Sequence, residues 1–192
     1  MQTRAQPERA REITLAAIDA IAQRGLDRVK LTDVARHAGV TTGAVTYYFS
    51  DKDALLLAAF DEVGRQLFDA MRAYDGGWRL ERFLNTLPTT RSRQRRWSVW
   101  LAFCGRAQAE AKLGRVYRDF YERVEAALAQ ATGIEDETQA RTVAAEVIAT
   151  VDGIGLCATL NARAWPAARQ EQALNTLLAS HFDGHYPGES LG

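Results

Sequence analysis

An all-helical fold is what this 192-residue chain predicts, and three observations predict it. Apolar residues recur at three- and four-residue spacing almost from end to end. Only four prolines occur, and no run of alternating β-branched residues marks a strand. Breaks bearing glycine, aspartate or proline cut the periodic pattern into lengths that suit single helices. The expected arrangement is a small three-helix head over residues 1–50 and a larger helical body over 51–192, with about nine helices in all.

Each element follows from its residues. Ile13, Ala17 and Ile21 repeat at four-residue spacing, Leu15, Ile18 and Ala22 widen the stripe, and Gly25 follows Arg24 as a stop, giving a helix over 7–24. A short helix over 31–38 stops at Gly39, and a third covers 42–48. Ser50 or Asp51 caps a longer helix that runs to about residue 73, where Asp75, Gly76 and Gly77 break it. Further helices are expected over 78–87, 92–111, 113–131, 137–161 and 166–182, punctuated by Pro88, a Thr132–Asp136 turn and the Trp165–Pro166 pair. The final residues, from Gly184, read as a frayed tail.

Composition narrows the class without naming a function. Hydrophobic residues make up 47% and charged residues 25%, the balance of an ordinary soluble domain, and formal net charge is zero. A nucleic-acid partner must therefore be met by a local patch rather than by the whole molecule. Cys104 and Cys157 lie in apolar helical runs without CxxC spacing and read as buried free thiols of a reducing cytosol. The polar N-terminal stretch has no apolar segment of a signal peptide, and no stretch approaches a membrane span of about 18 uncharged apolar residues, so the expected location is cytoplasmic. His37, His181 and His185 form no metal-ligand cluster, and no cofactor is implied. A Gly-rich phosphate loop, an HExxH pair, a nucleophile elbow and a Cys/His pairing are all missing, which argues against an enzyme.

The informative stretch is "GVTTGAVTYYFSDKDALL", residues 39–56. A short helix, a glycine turn and a second short helix fit a helix-turn-helix, whose second helix presents its N-terminal end to the major groove. Gly43 lets a backbone approach bases closely, and threonine methyls meet thymine methyls. Thr41, Tyr47, Tyr48 and the Lys52 ammonium have the reach and chemistry for phosphate oxygens. Residues 1–50 hold seven Lys/Arg against five acids, a weakly basic balance that predicts modest non-specific binding. A second reading stands beside this one: a plain helical hairpin, with Val34, Ala35, Val40, Val45 and Phe49 as its core.

"GLDRVKLTDVARHAGVTTGAVTYYFSDKDALL", residues 25–56, resembles the N-terminal signature of the TetR family of transcriptional regulators. With "RRWSVWLAF" and "VDGIGL" it most resembles the BetI-like subgroup. The resemblance implies a ligand-released repressor that binds a palindromic double-stranded DNA operator as a homodimer. Its DNA-facing set is Thr32, Thr41, Thr42, Gly43, Ala44, Thr46, Tyr47, Tyr48 and Lys52, with Phe49 structural. Two departures are visible. Thr46 stands where many members carry Tyr. Lys30 stands where many carry a capping Ser or Thr; since Lys cannot cap, Thr32 is expected to cap a shorter helix.

The resemblance also implies dimerisation through the last two long helices and an internal pocket. Residues 144–160 are apolar on nearly every side, Gly153 and Gly155 allow close approach, and Leu174, Leu177, Leu178 and Phe182 form a stripe. Ile148, Val151, Gly155, Leu174 and Leu178 are the expected interface. Trp97, Trp100, Leu101 and Cys104 share one helix face, and Tyr117, Phe120, Tyr121 and Val124 share another. Plain core packing explains each aromatic taken singly. Together with Phe103 and Asp152, they also suit a pocket whose aromatic faces and acid hold a cation of choline or polyamine type. Asp152 lies in a "DG" element that equally suits a structural role. The basic run at 91–96 reads as a solvated helix face. The rival classes are a non-catalytic helical interaction protein and a small helical enzyme without a recognisable motif.

Overall fold

Two glycines shape the first part of the chain. In the computed structural model, which describes residues 5–72 and 84–182, Gly25 (φ +75°) ends α1 (Ala5–Arg24) and Gly39 (φ +64°) ends α2 (Leu31–Ala38). Both occupy the left-handed region, where a side chain is strained. Gly39 donates its N–H back to the Arg36 carbonyl, and Val40 donates to Ala35, so the chain turns sharply into α3 (Thr42–Tyr48).

Helix starts are set by side chains. Thr41 Oγ1 accepts the Ala44 N–H (3.2 Å) and caps α3; Asp51 Oδ1 accepts the Ala54 N–H (2.7 Å) and caps α4 (Lys52–Arg72). Asp51 rather than Ser50 is thus the cap, with Ser50 Oγ donating to its other oxygen (2.9 Å). The expectation for Thr32 is overturned. α2 begins at Leu31 because the Asp33 carboxylate accepts the Lys30 N–H (3.1 Å), half of a capping box that needs nothing from the lysine side chain. That bond, with Arg24 and Arg36 nearby, holds Asp33 below the usual carboxylate range.

The body continues with α5 (Arg91–Ala109), α6 (Ala111–Ala131), α7 (Glu137–Leu160) and α8 (Ala167–Phe182). The eight helices of the described residues agree with the all-α expectation, and no strand occurs among them. Most of the helix expected over 78–87, the break at 75–77 and the tail from residue 184 lie outside the described residues. The α5–α6 break falls at Glu110, in extended backbone (φ −118°, ψ 112°), without proline or glycine to announce it.

α1 packs on α2, α4 and α5; α5 packs on α4, α6 and α7; and α8 packs on α7. One continuous apolar cluster runs from Ile13 and Val45 in the head through Phe60 on α4 to Phe103, Phe120 and Leu174 in the body. Among the described helices α7 is long and apolar enough, by length and composition, to cross a bilayer. Its inner face is instead core, with Ala140, Val143, Ala144, Val147, Ile154, Gly155 and Ala158 buried.

Candidate functional site

Two regions carry the residues of interest. The first is α3 and its flanks. Only Val45 of α3 is buried; Thr42, Gly43, Thr46 and Tyr47 are exposed, while Ala44 and Tyr48 are half-buried. Tyr47 is 71% exposed and meets Tyr48 edge-on, ring centres 5.1 Å apart. Thr46 Oγ1 donates to the Gly43 carbonyl (3.1 Å). A Cβ built on Gly43 would meet only Thr41 Oγ1, at 3.8 Å, an ordinary contact. The fold therefore has no use for a glycine there. Thr32 lies exposed on the first turn of α2, and Lys52 opens α4 with Nζ on the Asp27 carbonyl (3.2 Å).

The second region is a partly open cavity of about 100 Å³ between α4, α5, α6 and α7. Roughly 10–15 Å³ by this measure holds one water, so the cavity suits a compact ligand. α4 contributes Phe60, Val63, Gly64 and Leu67; α5 contributes Arg96, Trp97 and Trp100; α6 contributes Phe120, Tyr121, Val124 and Leu128; α7 contributes Val147, Ile148, Val151 and Asp152. Asn85 and Thr86 close one side, and the Thr86 carbonyl accepts the Trp97 indole N–H (2.7 Å). Trp100 stacks on Tyr117 (5.6 Å) and lies 5.4 Å from Tyr121, centre to centre. The wall is almost wholly apolar, with charge supplied by Asp152 and Arg96.

Asp152 accepts a hydrogen bond from the Tyr121 hydroxyl. Burial pushes its carboxyl up to about 6, and the tyrosine only partly offsets this. The same burial raises the Tyr121 hydroxyl and takes the Cys104 thiol up to about 12, helped by the Asp152 charge. Cys104 is thus a protonated, unreactive thiol; both cysteines are half-buried and free.

Of the residues expected around a ligand, Trp97, Trp100, Tyr121 and Asp152 line this cavity. Phe103, Cys104 and Tyr117 do not. Phe103 is wholly buried against Phe60, centres 3.7 Å apart, and Tyr117 backs Trp100. Of the expected dimer residues, Gly155, Leu174 and Leu178 are buried within the subunit, and the half-buried Ile148 and Val151 line the cavity. A Cβ on Gly155 would lie 2.1 Å from the Trp97 ring, so the close approach it permits is to its own chain.

The same two-part organisation appears in known proteins. Residues 13–59 match the family of bacterial regulatory proteins named tetR, and residues 78–183 match the family described as BetI-type transcriptional repressor, C-terminal. The chain belongs to the TetR family. This regulator is 26% identical over 193 residues to the HTH-type transcriptional regulator BetI of Cronobacter sakazakii, with 96% of each chain covered. It is 29% identical over 192 residues to BetI of Brucella melitensis, covering 96% of this chain and 97% of that one. A transcriptional regulator from Rhodococcus sp. Rha1 superposes with a TM-score of 0.81 at 26% identity, covering 95% and 99%. A structure from Saccharomonospora viridis, in complex with choline, superposes with a TM-score of 0.78 at 25% identity, covering 96% and 100%. A transcriptional regulator, not an enzyme, is what these relatives share.

In this TetR regulator α4 joins the two regions. Its first residue follows the α3 flank directly, and Phe60, Val63, Gly64 and Leu67 wall the cavity. Ion pairs tie it to its neighbours: Arg11 of α1 to Glu62 (3.3 Å), and Arg106 of α5 to Asp53 in its first turn (3.0 Å). Burial would raise Glu62, but hydrogen bonds from Arg65, Gln66 and Arg11 hold it down at about 2. The α4 contribution is what sequence reasoning missed. Gly64 was the available signal, since a Cβ there would stand 2.7 Å from the Phe120 ring.

Proposed function

We propose that the protein is a cytoplasmic, ligand-released repressor that binds a palindromic double-stranded DNA operator as a homodimer. Residues 1–50 read DNA through the Thr41–Tyr48 surface, with Thr32 and Lys52 at its edges, and residues 51–192 sense the effector and dimerise. The observation that carries the DNA reading is Gly43, an exposed helical glycine that the fold does not require. Glycine costs up to about 1 kcal/mol relative to alanine in a helix interior and less in a first turn such as Gly43's, so its use here still points to something outside the protein.

The effector reading rests on Asp152 in the aromatic wall of Trp97, Trp100 and Tyr121. A compact organic cation of choline type gains roughly 0.5–2 kcal/mol from a well-placed ring and more from the carboxylate. The choline bound in the Saccharomonospora viridis structure favours the same class. Release follows from α4: a ligand that pushes its cavity face changes the spacing of two heads that must sit about 34–36 Å apart, or a multiple of it. For the dimer, the outward stripe of α7 supplies the surface: Ala145, Ala149, Gly153, Leu156 (43% exposed) and Leu160 (74%) leave an apolar face unburied by the subunit.

Mobility shift with the upstream intergenic DNA, with and without choline, tests this reading. Tyr48→Ala should weaken binding across sequences and flatten the salt slope by about one unit. Equal binding by wild type and variant at matched salt removes Tyr48 from the contact set. A stable monomer in light scattering at micromolar concentration removes the dimer.

A further inference from the structure

Three arginines of the basic run on α5 have different surroundings. Arg93 is fully engaged, donating to the Leu84 carbonyl (3.1 Å), Thr89 (2.8 Å) and Asn85 (2.5 Å). Arg95 pairs with Asp19 of α1 at 2.9 Å. Among the described residues Arg96 reaches only Gln66 Oε1, at 3.5 Å, and no carboxylate stands within 4 Å of it. Gln66 gives its amide N–H to Glu62 (2.8 Å), which leaves its oxygen to accept from the guanidinium.

Arg96 is also half-buried and lines the cavity. Burial and the nearby Arg93 charge both press its pKa down, yet a guanidinium stays charged at any working pH. A cation withdrawn from water with one long hydrogen bond is poorly compensated. Asp152, the acid of the same cavity, does not neutralise it, for no ion pair links the two within 4 Å. The cavity therefore holds one fixed positive and one negative group, kept apart by an apolar wall.

We propose that Arg96 is an anion subsite of this cavity and that the effector is a small organic zwitterion. Its cationic head lies among Trp97, Trp100 and Tyr121 beside Asp152, and its carboxylate lies on Arg96. This rests on the cationic reading of the cavity and adds the second charge. A simple cation satisfies Asp152 but leaves Arg96 uncompensated. A ligand with both signs satisfies both and forms a charge-assisted bond that a hydroxyl cannot match.

Tryptophan fluorescence and calorimetry on the full-length protein test the proposal with a matched set of probes. Choline carries the positive head alone. Trimethylammonioacetate, -propanoate and -butanoate add a carboxylate at increasing reach, and 3,3-dimethylbutanoate keeps the shape and carboxylate without the positive charge. At least one zwitterion should bind roughly ten- to a hundred-fold more tightly than choline. In Arg96→Met that ratio should fall to about one, and in Arg96→Lys it should be partly kept. The ratio within one protein is the readout, so a general loss of stability does not imitate it; should Arg96→Met fail to fold, wild type and Arg96→Lys decide. Choline binding with no zwitterion tighter than it overturns the anion subsite and leaves the cationic reading standing. Equal losses for choline and zwitterions in Arg96→Met, with the ratio unchanged, overturn it as well. Binding of 3,3-dimethylbutanoate as tight as trimethylammonioacetate, or no binding by any cationic probe, overturns the cationic reading itself and the zwitterion with it.

Discussion

Helix α3 and helix α5 differ in how far their own fold explains their residues. α3 buries Val45 alone and turns Thr42, Gly43, Thr46 and Tyr47 to solvent. α5 buries Trp97, Val99, Trp100 and Phe103, and each ring has a partner inside the chain: Thr86 for Trp97, Tyr117 for Trp100, Phe60 for Phe103. Residues without internal use argue for an external partner directly. Residues with full internal use argue for one only where the packing leaves a gap, as it does beside Trp97 and Trp100. The proposed DNA surface is thus readable one residue at a time, whereas the proposed effector site is a relation among four helices.

The largest effects should fall where that contrast is sharpest. Trp100→Ala removes a ring that is 9% exposed and stacked on Tyr117, and it should cost about 3–5 kcal/mol of stability. Tyr47→Ala, at a 71% exposed position, should stay within about 0.5 kcal/mol of wild type while weakening operator binding. Urea denaturation of the two variants side by side checks both. A Trp100→Ala protein as stable as wild type breaks the comparison, since its ring would then serve the ligand and not the core.

A smaller effect separates the ligand side from the packing side by pH. With its carboxyl near 6, Asp152 is neutral below that pH and charged above it. A group raised in the folded state contributes stability at low pH that is lost as pH rises through about 6. Affinity for a cation runs the other way, falling about ten-fold per unit below pH 6 and levelling above 7. The groups around Asp152 leave this sign intact: Tyr121 and Tyr117 on α6 and Cys104 on α5 stay protonated, and Arg96 stays charged. Choline titrations from pH 5 to 8 should show the rise in wild type and lose it in Asp152→Asn. A flat wild-type profile removes Asp152 from the cation site.

The legible part of the molecule was the part with local causes. Gly25, Gly39, Asp51 and Asp136 each end or cap a helix within a few residues of themselves, so the bounds of α1 to α4 and α7 could be read directly. The 31–38 bounds of α2 hold, but its cap is not Thr32: the capping bond comes from the Asp33 carboxylate, which accepts the Lys30 N–H. The Glu110 break carries no breaker residue. Trp97, Trp100, Tyr121 and Asp152 were legible as a group because two helical stripes and one acid suggested a common space. The α4 wall was not legible, because periodicity marks an apolar face without saying what it faces. Periodicity is equally silent about Gly155 and Leu174: small and apolar residues suit a dimer seam, and within the subunit they meet the Trp97 ring and the core.

The smallest expected effect is also the sharpest, because its two halves have opposite signs. Gly43 sits inside α3 with a helical backbone, and a methyl group there would touch only Thr41 Oγ1 at 3.8 Å. Gly43→Ala should therefore stabilise the folded protein by up to about 1 kcal/mol, through helix propensity and the lost freedom of the unfolded chain. The same methyl projects from the exposed face of a helix meant to lie against base edges, where the backbone must come close. Operator affinity should fall while the thermal midpoint rises, and Gly43→Val should deepen the binding loss while giving back the stability gain, because a β-branched residue suits a helix less well. Calorimetric unfolding and mobility shift on the same three preparations suffice. If alanine raises the midpoint and binds the operator as tightly as glycine, the DNA surface does not need close approach at Gly43, and the contact set must be centred on Thr46 to Tyr48 instead.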